Sequence, residues 1–100
     1  MTVIPELAMR QIERWCAQRV PEDLKDRLRV ECRTLGRTVA IVEWRAGDPE
    51  WTEREIARLH LDEFGIWSML RSDGDGGWLA DPDGPVASTP PPLLAEIRVC

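Results

Sequence analysis

The sequence predicts an α+β domain, made of an N-terminal amphipathic helix, a four- to five-stranded antiparallel β-meander and a short C-terminal helix. Three observations lead there. Apolar residues recur at helical spacing up to residue 20, side chains alternate in twos from Arg27 to Leu70, and turn-forming residues interrupt that alternation near Gly36, at 62–65 and at 72–77. With 100 residues, the chain forms a single domain, 1–100, because halving it would leave each core too small to offset the entropy of ordering the backbone. Its 43% apolar and 31% charged residues suit a folded globule.

Over residues 5–20, Ala8, Ile12, Trp15 and Cys16, with Leu7 at the edge, fall on one side of a helix. Arg10, Glu13, Arg14 and Gln18 fall on the other. Pro5 suits a first turn, Glu6 complements the helix dipole, and Pro21 prevents continuation past Arg19. A further short helical turn fits 21–26. Leu28, Val30 and Cys32 then alternate with Arg27, Arg29, Glu31 and Arg33 as a first strand, and the β-branched run 38–44 follows as its hairpin partner. A two-residue turn, Leu35-Gly36 or Gly36-Arg37, sets Val30, Cys32, Val39 and Ile41 on one face and Arg27, Arg29, Val42 and Trp44 on the other.

Residues 46–53 read as a polar loop. Ala57, Leu59 and Leu61 alternate with Arg58 and His60 in a third strand, and residues 62–65 turn into a fourth at 66–71. Pairing Leu61 with Ile66 sets Leu59 by Ser68 and Ala57 by Leu70 on the core side, leaving Arg58, His60, Trp67 and Met69 outside. A short fifth strand surrounds Trp78. The prolines of 81–92 make that stretch a stiff connector, after which Thr89 caps a helix with Leu93, Leu94 and Ile97 as its apolar stripe.

Charge and cysteine usage narrow the function. The net charge is −5, split as +2 over residues 1–45 and −7 over 46–100, which argues against a uniformly basic nucleic-acid binder but leaves a basic patch on the front half. Cys16, Cys32 and Cys100 share no metal-type spacing, so they are expected to be reduced thiols, with Cys100 the exposed one. No stretch approaches the ~20 apolar residues of a membrane span and no signal peptide is evident, so the expected location is cytoplasmic, away from membranes.

Trp15-Cys16, Arg19-Val20-Pro21, residues 28–31, Gly36-Arg37-Thr38-Val39, Val42-Glu43, Glu50-Trp51-Thr52, residues 56–59, Trp67, Gly76, Trp78 and residues 93–97 occur in an order and spacing that resembles the bacterial domain-of-unknown-function family 3024. The resemblance spans nearly the whole chain and implies no known activity. Members carry more aromatic and basic residues where this chain has Leu70, Arg71, Leu79, Ala80 and Asp81, and continue into a glycine- and aromatic-containing tail. The resemblance therefore implies a divergent or C-terminally short member.

Candidate chemistry is sparse. Residues 73–77 alternate Asp and Gly, but in an EF-hand register Trp78 would stand at the required glycine and Gly84 at the bidentate glutamate, so a hairpin turn is expected instead. A lone histidine, His60, disfavours zinc, and a Cys32 and His60 dyad would be split across the sheet. Phosphate-cradling loops and nucleophile elbows are lacking, and Asp62-Glu63 reads as a solvated turn. No metal, cofactor or catalytic residue is expected. Trp51 reads as a plug at the core edge, and Pro90 to Pro92 as the start of a helix.

The strongest positive feature is the outer sheet face, where Arg27, Arg29, Trp44, Arg58, His60, Trp67 and Met69 are expected to converge. Rings among guanidinium groups suit stacking on unpaired bases. They equally suit a protein contact or cover by the last helix, the proline-rich segment or a second subunit. The expected function is a non-catalytic protein-interaction module with a protein partner or a homodimer. Single-stranded nucleic-acid binding ranks below it because of the net negative charge, and an enzyme of unrecognised type ranks last.

Overall fold

A computed structural model describes residues 4–47 and 49–97. Cys100, the thiol expected to be exposed, lies outside the described residues. The order is α1 (Glu6–Gln18), a 3₁₀ turn (Glu22–Leu24), β1 (Leu28–Leu35), β2 (Thr38–Arg45), β3 (Thr52–Leu61), β4 (Trp67–Ser72), β5 (Trp78–Ala80), β6 (Val86–Ala87) and α2 (Pro91–Leu94). The strands form one antiparallel sheet in the order β1-β2-β3-β4-β5, with β6 also pairing β4.

Each helix packs on the same side of that sheet. α1 turns Ala8, Ile12 and Cys16 inward and leaves Trp15 half-buried and Leu7 exposed. Together with Val39, Ile41, Ala57, Leu59, Leu61, Leu93 and Leu94 these residues close the core, against which Val30 and Cys32 pack. The first hairpin follows the sequence pattern: Gly36 takes φ 64°, Leu35 faces Thr38, and Cys32 faces Ile41.

The second hairpin corrects the expected register. Leu61 faces Trp67 rather than Ile66, and Leu59 faces Met69. The cause lies in the turn. Asp62 N donates to Ile66 O, and the Asp62 Oδ1 accepts from both Phe64 N and Ile66 N, so three residues ending in Gly65 at φ 80° close the loop. A one-residue slip turns every side chain over. Trp67 and Met69, expected outside, therefore join Leu59 in the core layer, and Trp67 is only 2% exposed. Ser68 and Leu70, expected inside, face outward.

Three further differences have local causes. β3 starts at Thr52, two residues inside the expected 46–53 loop, because the charged run 52–55 pairs with the second half of β2 across a bulge opposite Ile41 and Val42. The connector contains β6, two residues long, whose Val86 and Ala87 pair with Ser68 and Trp67 at the sheet rim. Pro90, in helical conformation, occupies the N-cap of α2 in place of Thr89. Among the described residues one charged side chain is buried: Glu43, on the helix side opposite Val30, is 2% exposed, and its Oε1 accepts from Arg45 Nε at 2.6 Å.

Candidate interaction face

The side of the sheet away from the helices is built in rungs. Arg29, Trp44 and Glu53 face one another across three strands; Glu31, Val42 and Glu55 form the next rung; Arg33, Ala40, Arg58, Leu70 and Ala80 span five strands; Leu35, Thr38, His60, Ser68 and Val86 follow. Trp78 stands beside this array opposite Ser72. None of the described helices lies over it.

Guanidinium groups cap the indole rings. The Arg29 guanidinium lies 4.7 Å from the Trp51 ring centre, Arg33 lies 5.7 Å from Trp44, and Arg58 lies 5.2 Å from Trp78. Two of these cations also hold carboxylates: Arg33 donates to Glu53, and Arg58 donates to both oxygens of Glu55 at 2.7 and 3.0 Å. The bond from Arg58 holds the Glu55 carboxyl below its ordinary pKa, and each arginine is raised in turn.

Reaching from β1 to Glu53 on β3, the Arg33 side chain crosses β2. Val42 is 0% and Ala40 1% exposed although none of the described helices covers them. Long stems and rings of the same face are suited to such covering. The Trp44 indole Nε1 is buried there without a partner.

Of the residues expected to converge, Arg29, Trp44, Arg58 and His60 do stand on this face, and Arg27 sits at its rim beside Asp26. Trp67 and Met69 do not, for the register reason given above. His60 pairs with Thr38, Nδ1 to Oγ1 at 3.1 Å, on the opposite side of the sheet from Cys32. Trp51, expected to plug the core edge, lies under Arg29 and shares a hollow with Glu31 and Trp44 instead. Sequence reasoning missed Arg33 and Trp78, although both were available from two-residue alternation; for Trp51, isolated in a loop, no period gave a signal.

The turn at 73–77 is a hairpin loop. The Asp73 Oδ1 accepts from the backbone N–H of Asp75 and Gly77, which also holds this carboxyl below its ordinary pKa. Among the described residues, no helix is long and apolar enough to cross a membrane.

Comparison with known proteins agrees with the order of motifs. A family model described as domain of unknown function DUF3024 matches residues 2–99, so the chain belongs to that family. No curated protein and no solved structure matches the chain.

Proposed function

We propose that this family member is a non-catalytic, cytoplasmic bacterial protein-interaction module whose contact surface is the outer face of the sheet. The observation that carries the reading is the set of three arginine-capped tryptophans on a face that neither helix covers. Tryptophan and arginine dominate the energetically important centres of protein interfaces, because both present a large, preorganised contact area. The pairing of Arg33 with Glu53 and of Arg58 with Glu55 supports a protein partner over a polyphosphate, since a phosphate would have to displace a carboxylate already in place. Separation of Cys32 from His60 favours a non-catalytic role.

Photo-crosslinking residues placed singly at Trp51, Trp78 and, as a control on the helix side, Arg14 test the proposal in the source cells. Crosslinks to one recurring protein, another copy included, are expected from Trp51 and Trp78 and not from Arg14. Equal yields from all three positions would sink the reading. The three capped indoles also favour a second reading, single-stranded nucleic acid, and an oligonucleotide titration separates the two. Quenching of tryptophan fluorescence at low salt, lost in Trp78→Ala, would favour the nucleic acid.

A further inference from the structure

The sheet ends on unequal edges. At one side lie β5 and β6, three and two residues long; at the other lies β1, eight residues long and paired only with β2. Successive residues of such a strand direct their backbone groups to opposite sides. Gly36 and Arg37 form a two-residue turn, which makes Leu35 and Thr38 a hydrogen-bonded pair, and at the far end Ala46 N donates to Arg27 O at 2.8 Å. The odd-numbered residues of β1 therefore bond to β2, while the N–H and C=O groups of Leu28, Val30, Cys32 and Thr34 face away from the sheet. Among the described residues none supplies a backbone partner on that side. A bare edge of this length is a template for another strand.

The side chains of β1 decide which strand fits. Arg29, Glu31, Arg33 and Leu35 stand in a row on the outer face, all of them exposed, Leu35 at 48%. A second β1 laid antiparallel against this edge must bond through even-numbered residues, so the odd-numbered ones form the non-hydrogen-bonded pairs, whose side chains lie closest. Among the registers that overlap most of β1, centring on Glu31 or Arg33 opposes that residue to its own copy, and centring on Val30 opposes Arg27 to Arg33. Centring on Cys32 instead sets Glu31 of each strand against Arg33 of the other and Leu35 against the stem of Arg29, with no like charges opposed. Only this register makes the row complementary to itself.

We propose that two copies of this chain associate through β1, antiparallel about a twofold axis at Cys32, which joins their sheets into one. Val30 then bonds Thr34 of the second copy, and Cys32 bonds Cys32 of the second copy. The occupant is a second copy rather than an unrelated strand because the order Arg29, Glu31, Arg33 matches its own reverse at this offset, as a twofold contact requires. The contact is the backbone edge of the sheet, so the inference stands apart from the outer-face reading, and Trp78 on β5 lies at the far end of the strand order.

Sedimentation equilibrium of the full chain over a wide concentration range should show a reversible monomer–dimer step. Residue-resolved amide exchange should slow at Val30, Cys32 and Thr34 as the dimer fills, and slow less at Glu31 and Arg33, which β2 already bonds. Glu31→Arg and Arg33→Glu should each weaken the dimer by about tenfold or more, because each opposes like charges on both sides of the axis. An equimolar mixture of the two variants regains both attractive pairs and should form the heterodimer. Trp78→Ala should leave association unchanged. A chain that stays monomeric at every concentration would overturn the proposal, as would single variants that dimerise like the parent or a mixture that associates no better than its components. A dimer weakened by Trp78→Ala would place the contact on the outer face and overturn it too. The exchange measurement needs no substitution: a dimer whose Val30, Cys32 and Thr34 amides exchange as in the monomer would contradict the edge contact outright.

Discussion

The two faces of this sheet bury their strands by different means. On the helix side a second layer does it: α1 and α2 lay Ile12, Leu93 and Leu94 over Val39, Ile41, Leu59 and Trp67. On the other side none of the described helices lies over the strands, yet Ala40 and Val42 are buried on a face that carries arginine-capped indole rings. The difference teaches that a residue can be fully buried on a face that is still available for contact. Aliphatic packing fixes the fold, whereas the outer layer exposes rings held in place by charge.

That comparison breaks most visibly in the core. Trp67→Ala should cost about 3 to 5 kcal/mol, a large part of a small domain's stability, and urea unfolding followed by circular dichroism measures it. Trp44→Ala should cost less, about 1 to 2 kcal/mol, because its ring is partly solvated and stands on the outer face rather than in the core. Equal losses would mean that the outer face is a second core. Asp62→Ala removes two backbone bonds from the turn that sets which face Trp67 occupies, and should cost about 1 kcal/mol by the same measurement.

The smallest effect is in pH dependence. Because the folded pKa of Glu55 is lowered, its pairing with Arg58 stabilises the fold above the ordinary carboxylate pKa, and that contribution disappears as the pH falls through the lowered value. Glu55→Gln should therefore flatten the decline of the thermal midpoint on the acid side and leave the slope near neutral pH unchanged.

Much of this was legible because periodicity reports which residues share a face. The helix, the first hairpin and the inward row Val39, Ile41, Leu59 and Leu61 all follow from spacing. What periodicity cannot report is the length of a turn. The side chain of Asp62 binds two amides and shortens the loop by one residue, which moves Trp67 and Met69 from the expected site into the core. The start of β3 was illegible for a related reason: Thr52 and Glu53 look like the end of a loop until β2 supplies a partner strand. The candidate face was thus visible as Arg29, Trp44, Arg58 and His60, with Arg33 and Trp78 within reach of the same alternation, while Trp51 needed its strand neighbours to be known.

Hydroxyl-radical footprinting of the dilute monomer, read by mass spectrometry at each tryptophan, tests the division between the two faces most directly. Trp51 and Trp78 should be oxidised readily and Trp67 hardly at all. Protection of Trp51 and Trp78, or oxidation of Trp67 at a comparable rate, would contradict the account.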